Sequence, residues 1–142
     1  MGICLVAIAT LLVSCSSGGQ ATAPATYSAA QLSQISIYAG RIQSSKDRLP
    51  ELADYIRTKN WVNIDNFIHG PLGTLREGMN RLAYQLLPED KANLLAIADK
   101  VSVDLEAMSS AVGAYDFNGT STAYAKFASD LSKLLNSLPT AE

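Results

Sequence analysis

Four separate stretches of the chain repeat apolar residues at steps of three and four, the spacing that places side chains on one face of an α-helix. Nowhere does a strict alternation of apolar and polar residues last long enough for a β-strand, so the pattern predicts an all-α fold. The four apolar stripes are Leu32, Ile35, Ala39, Ile42, Leu49, Ala53 and Ile56; Ile64, Ile68, Leu72, Leu75, Met79, Leu82 and Leu86; Leu94, Ile97, Val101, Leu105, Met108 and Val112; and Tyr124, Phe127, Leu131, Leu134 and Leu138.

Helix-start signals stand at the head of three of the stripes. Ser28 followed three residues later by Gln31 has the pattern of a capping box, and Asn60 can cap a helix that begins at Trp61. We expect the last helix to follow a turn over residues 113–119 and to be capped by Thr120 or Ser121.

The connections between the stripes are short, which favours antiparallel neighbours and therefore an up-down-up-down four-helix bundle over residues 28–142. Two prolines disturb this simple arrangement. Pro50 lies inside the first stripe and should kink the helix or restart it as a second segment. Gly70-Pro71 interrupts the second stripe, where we expect a bend or a bulge.

The first residues have the features of a bacterial lipoprotein leader. Residues 3–13 form an uncharged apolar run, which as a helix would rise about 16 Å, roughly half of a bilayer core. Leu12-Val13-Ser14-Cys15 then matches a lipobox. We therefore expect a signal peptide at 1–14, a lipidated Cys15, and a flexible tether over 15–27. The alternative is a plain secretory leader in which this cysteine is incidental.

Charge is divided unevenly along the chain. Residues 41–81 carry 7 basic and 5 acidic side chains, whereas residues 82–142 carry 4 basic and 8 acidic ones. The formal net charge of -2 gives no field for binding a polyanion, so we expect no nucleic-acid partner. The mild dipole can orient a docking encounter.

The sequence lacks the residue patterns of an enzyme or a cofactor site. His69 is the only histidine, no serine lies in a Gly-x-Ser-x-Gly turn, and no glycine-rich phosphate loop or Cys/His ligand spacing occurs. Asp65 and His69 stand four residues apart and form a weak candidate for a surface metal site, although a hydrogen-bonded helix pair explains them as well. We expect neither catalysis nor a bound cofactor.

Two local sequences resemble a known family. Trp61 stands at the start of the second predicted helix, and residues 68–73 within that helix read Ile-His-Gly-Pro-Leu-Gly. Together with the lipobox, Leu86-Leu87-Pro88 and Leu138-Pro139, these features resemble the cyanobacterial PsbQ family over essentially the whole mature chain.

The resemblance implies a four-helix bundle that docks on the lumenal face of photosystem II, close to the manganese-stabilising extrinsic protein and an inner antenna chlorophyll protein. It also implies that the protein stabilises the oxygen-evolving complex, helps to retain calcium and chloride, and is held by its lipid at the lumenal side of the thylakoid membrane. Two other functions stay open: an assembly factor on immature photosystem II, and an envelope lipoprotein that binds a small ligand or metal between its helices.

We expect the basic first half of the domain to meet acidic partners, although exposed arginines are also common on surfaces with no partner. The predicted partner-binding residues are Arg41, Arg48, Arg57, His69, Arg76 and Arg81.

Overall fold

The computed structural model describes residues 25–139. Within this range it contains six α-helices and no β-strand, which confirms the all-α prediction. Residues 1–24 and 140–142, including Cys15 and most of the predicted tether, lie outside the described residues. The helices are α1 (Ala29–Asp47), α2 (Leu49–Arg57), α3 (Trp61–His69), α4 (Leu75–Ala83), α5 (Pro88–Gly113) and α6 (Phe117–Asn136).

The six helices correspond to the four stripes, because the first two stripes are each divided between two helices. Helix α1 contacts α4, and α2 contacts α3. These contacts are expected if α3 and α4 run back along α2 and α1. Helix α5 packs against α3, α4 and α6, and α6 returns to α1 and α2. These contacts are compatible with the helical bundle predicted from the sequence.

Both divisions occur at the prolines that the sequence singles out. Pro50 lies in the first turn of α2, where its missing N–H costs no helical hydrogen bond, so the helix restarts immediately after Arg48. The second division is longer, because α3 ends at His69 and α4 begins only at Leu75. Pro71 cannot donate to the Phe67 carbonyl, and the Leu72 amide bonds it instead at 3.2 Å.

Two of the predicted helix caps are confirmed and one is wrong. Ser28 and Gln31 form the capping box of α1, and Asn60 caps α3 by accepting a hydrogen bond from the Asn63 amide. The last helix is not capped by Thr120 or Ser121: it begins at Phe117, and the Asp116 side chain accepts from the Gly119 amide at 3.0 Å. The sequence Asn118-Gly119 resembles a turn, but in the structure it is the first turn of α6.

The core is built from the stripes. Each of their residues is buried or partly buried, and the largest fully enclosed side chain is Phe127. Tyr124 adds a polar link between elements, because its hydroxyl donates to the Leu49 carbonyl at 3.1 Å, where α2 begins. Burial raises the pKa of Tyr124, so this hydroxyl stays a donor across neutral pH.

At the other end of α1, Tyr27 fixes the point where the chain enters the bundle. Its hydroxyl donates to Asp90 Oδ2 at 2.5 Å and accepts from the Leu87 amide at 3.0 Å. The first described residues therefore lie against the start of α5. None of the described helices is both long and apolar enough to cross a membrane.

Candidate docking surfaces

The six predicted basic residues are all exposed, but they do not form one patch. Arg41 and Arg81 line a groove between α1 and α4, whereas His69 and Arg76 line another between α4 and α5. Arg48 lies where α1 meets α2, and Arg57 is the last residue of α2. The structure therefore divides the predicted surface into several sites.

The groove between α1 and α4 has a volume of about 320 Å³ and brings two arginines together. The guanidinium of Arg41 lies 5.5 Å from the centre of the Tyr38 ring. Arg81 is held by Glu77, with Nη2 2.6 Å from Oε1, and this hydrogen bond raises the pKa of the arginine further above its usual value. Both Arg41 and Arg81 are exposed to solvent.

The groove between α4 and α5 has an apolar floor and a charged rim. Its volume is about 400 Å³, and Ile68, Met79 and Val101 contribute to its lining. Across the rim, Arg76 Nη2 lies 2.5 Å from Glu106 Oε1 and joins the two helices. The sequence could not predict this pair, because the two residues are 30 positions apart and meet only through the register of α4 against α5.

His69 and Asp65 interact directly at the surface of α3. His69 Nδ1 lies 3.0 Å from the Asp65 carbonyl and 3.3 Å from its Oδ1. Among the described residues no group of three His, Cys, Asp or Glu side chains is placed to hold a metal ion. Asp65 and His69 thus form the hydrogen-bonded helix pair, which was one of the two interpretations of their spacing. A metal ion bound there would have only two protein ligands.

Arg48 and Arg57, at the two ends of α2, each have an acidic neighbour three positions away. Arg48 Nη2 lies 2.9 Å from Glu51 Oε2, and this contact lowers the pKa of Glu51. The same guanidinium stands 5.0 Å from the centre of the Phe67 ring on α3. Arg57 pairs with Asp54 at 3.1 Å, with both side chains about 70% exposed (72% and 71%).

The sequence did not single out an apolar surface that the structure forms where α2 and α5 end and where α3 and α6 begin. We call this surface the apolar end and define it by Lys59, Trp61, Val62, Tyr115 and Phe117. Val62 is 71% exposed, Tyr115 70% and Phe117 37%. The rings of Trp61 and Tyr115 meet edge to face, with centroids 5.6 Å apart, and Lys59 Nζ lies 5.1 Å from the centre of the Phe117 ring. A groove of about 530 Å³ runs beside them.

Both turns at the apolar end contain a non-glycine residue with positive φ. Lys59 has φ 52° and Tyr115 has φ 55°, the left-handed region that glycine usually occupies after a helix. Each closes a Schellman motif: the Asn60 amide bonds the Tyr55 carbonyl, and the Asp116 amide bonds the Ala111 carbonyl, both at 2.9 Å. The only indication of these two turns in the sequence is that the connections between the helices are short.

A helical bundle with exposed arginines in its grooves and aromatic side chains at one end has the character of a protein-binding subunit. Comparison with known proteins identifies its family. Residues 3–139 match the model of the PsbQ family, described as oxygen evolving enhancer protein 3. The chain is also 38% identical to CyanoQ of Synechocystis sp. over 144 aligned residues, which cover 99% of this chain and 95% of that relative.

The chain therefore belongs to the PsbQ family, as the resemblance in residues 61 and 68–73 suggested. This is a family of structural, extrinsic subunits associated with photosystem II on its lumenal side. The membership supports a structural part in oxygen evolution.

Proposed function

We propose that this protein is an extrinsic lumenal subunit of photosystem II that stabilises the oxygen-evolving complex and helps to retain calcium and chloride by docking. The observation that carries the proposal is the match to CyanoQ along nearly the whole chain. A well-packed helical domain suits such a role, since it can cover a protein surface and exclude water from it.

The proposed protein is an up-down-up-down bundle attached to the lumenal side of the thylakoid membrane. Residues 1–14 serve as signal peptide, Cys15 carries the lipid, and residues 15–27 link the lipid to the bundle. Such a tether keeps the domain at a high effective concentration beside a membrane complex, so contacts of modest strength are sufficient for docking.

We propose the manganese-stabilising extrinsic protein and an inner antenna chlorophyll protein as its neighbours. The basic residues can exchange partners at little cost, because an exposed ion pair contributes at most about 1 kcal/mol. Arg41 is the most available of them, since its described contact is with the Tyr38 ring, whereas Arg81 must release Glu77. Carboxylates on the neighbours would then replace the acidic residues of this chain.

The proposal is tested by isolating photosystem II through a tag on a core subunit and separating oxygen-evolving from immature complexes. Mass spectrometry then measures how much of this protein each fraction contains. We expect enrichment in the oxygen-evolving fraction, together with a first-residue Cys15 peptide that carries diacylglycerol. Enrichment only in the immature fraction would instead support the assembly factor, and absence from both would refute a role in photosystem II.

Retention of the ions has its own measurement. Complexes with and without this protein are washed in a medium depleted of calcium and chloride, and oxygen evolution is followed over time. We expect activity to decline faster without the protein and to recover when both ions are restored. Equal rates of decline would contradict the retention role while leaving the docking proposal intact.

A further inference from the structure

We propose that the apolar end is the surface by which this protein contacts a protein subunit of photosystem II, one that presents a carboxylate beside an apolar side chain. This inference rests on the proposed function and adds to it a specific contact surface. It differs from the prediction based on the sequence, which placed docking on the arginines and His69.

The first argument is the backbone of Tyr115. A side chain in the left-handed region costs about 1–2 kcal/mol that glycine would avoid. Tyr115 occupies that region and is nevertheless 70% exposed, so burial returns little of this cost. Glycine would close the same Schellman motif without this cost, and non-glycine residues held in sparsely populated backbone conformations cluster at functional sites. The strain here holds an aromatic ring outward next to Trp61.

The second argument is the concentration of apolar surface. Val62, Tyr115 and Phe117 come from three different elements and converge on one end of the molecule. Isolated exposed apolar residues are ordinary, but contiguous ones mark contact sites, and aromatic residues are enriched at the centres of protein interfaces.

The third argument concerns charge. Lys59 is the basic residue of the groove beside these side chains, and its ammonium lies against the Phe117 ring. It has no ion-pair partner within residues 25–139, in contrast to Arg48, Arg57, Arg76 and Arg81. A cation at the rim of an apolar surface is complementary to a carboxylate on the partner.

The fourth argument is position. Tyr27 binds at the start of α5, and the 26 residues of this single helix lead to the turn that holds Tyr115. At a rise of 1.5 Å per residue, the apolar end lies about 40 Å from the residue where the chain enters the bundle. A chain tethered through its first residues therefore presents this end away from its point of attachment.

The same features argue against a lipid surface as the occupant. Binding to anionic membranes requires clusters of basic residues beside the apolar ones. Here Lys59 is accompanied by Asp65 in the groove and by Asp116, the cap of α6, next to Phe117. Their carboxylates would repel anionic headgroups, whereas a protein surface can place opposite charges against both signs.

The test titrates purified full-length mature protein, wild-type or variant, into photosystem II isolated from cells that lack it. Val62→Asp places a charge in the centre of the surface, and Tyr115→Gly removes the ring while relieving the backbone. Val103→Asp is the matched control, because Val103 is 55% exposed on α5 and lies outside the apolar end. We expect each of the first two variants to raise Kd at least tenfold and the control to change it less than twofold.

Folding is measured on the same samples. Tyr115→Gly should have a Tm at least as high as the wild type, because relief of the left-handed residue offsets the lost contact with Trp61. Weaker docking by a variant that is no less stable cannot be attributed to unfolding.

The other occupants have distinct outcomes. If wild-type protein binds the complexes and both variants bind equally well, the inference is overturned while the proposed function stands. If Val62→Asp abolishes sedimentation with phosphatidylglycerol vesicles, or abolishes a dimer, without altering Kd for the complexes, the surface belongs to lipid or to a second copy. Failure of wild-type protein to bind the complexes at all would overturn the proposed function as well.

Discussion

Tyr27 shows how one hydroxyl can organise the entry of the chain into the bundle. It satisfies the Leu87 amide at the N-cap of α5 and donates to Asp90 in the first turn of the same helix. Leu87 itself has no side chain able to cap, and Tyr27 supplies from a distance of 60 residues the acceptor for the N-cap amide that Gln31 supplies locally in the capping box of α1. Burial and the bond to Asp90 raise the pKa of Tyr27, which keeps this donor protonated.

Tyr27→Phe should lower the free energy of unfolding by about 1–2 kcal/mol, because the Leu87 amide and the Asp90 carboxylate both lose their partner. Chemical denaturation monitored by circular dichroism measures the change. Tyr84→Phe is the control, since Tyr84 is 74% exposed and its ring keeps the contact with Lys91 after the substitution. Equal effects of the two substitutions would show that the Tyr27 hydroxyl bonds contribute nothing.

Asp104 is an acid whose ionisation opposes folding. Burial raises its pKa, and the neighbouring charge of Asp130 raises it further, while Lys126 and Lys133 act in the opposite direction. Because the folded state binds this proton more tightly, the contribution of Asp104 to stability is present below its unfolded pKa and is lost as pH rises through the folded pKa.

Asp104→Asn should therefore stabilise the protein at pH 7, by roughly 0.5 kcal/mol for such a partly solvated group, and have little effect near pH 3. Denaturant titrations at the two pH values provide the comparison, with Asp99→Asn, an exposed acid on the same helix, as the control. A stabilisation that is equal at both pH values would contradict this explanation, because it would not depend on the charge of Asp104.

At the scale of the elements, local signals were predictable where a few neighbouring residues decide the outcome. The capping box of α1 and the restart at Pro50 follow from the chemistry of adjacent positions. The start of α6 was predicted wrongly because Asn118-Gly119 favours a turn in isolation, whereas the Asp116 carboxylate holds the Gly119 amide in a helix. Thr120, in the same turn of α6, is fully buried.

The break between α3 and α4 depends on Gly73. A Cβ atom at this position would lie 2.3 Å from the His69 carbonyl oxygen, well inside the distance that real contacts allow. The sequence located the break through Gly70-Pro71, but it did not reveal that Leu72 would take the Phe67 carbonyl and bring the chain back over residue 69.

Gly73→Ala should destabilise the fold by about 1–3 kcal/mol, because the backbone has to shift to relieve this contact. Gly40→Ala provides a control of opposite sign: an added Cβ at Gly40 meets nothing within 4 Å, and alanine favours the interior of α1 by about 0.5–1 kcal/mol. Thermal unfolding of the two variants should shift Tm in opposite directions. A decrease for both would indicate that α1 does not tolerate alanine either.

At the scale of the molecule, the sequence predicted the class of fold and the family, because both depend on patterns that extend along the chain. The surfaces were less accessible to such reasoning. Arg76 meets Glu106 only through the register of two helices, and Trp61 meets Tyr115 only when two turns come together at one end. Neither contact has a signature in neighbouring residues. The sequence therefore predicted one basic surface where the structure has several sites, and it did not predict the apolar end.

The proposed attachment to the membrane concerns the whole molecule and depends on one side chain, the thiol of Cys15. Cys15→Ser removes the only acceptor that the lipobox offers, so labelling of the protein with radioactive palmitate should disappear. Occupancy of photosystem II should also fall by at least tenfold at equal expression, since docking would lose the effective concentration that a tether gives.

The second cysteine provides the control for this substitution. Cys4 lies within the apolar run of the predicted signal peptide, so Cys4→Ser should leave both palmitate labelling and occupancy unchanged. Loss of label in both variants would implicate export of the chain instead of lipidation. Full occupancy by an unlabelled Cys15→Ser protein would show that contacts of the bundle alone, the apolar end among them, are strong enough to hold it on the complex. The tether would then serve delivery of the protein to the membrane rather than its retention there.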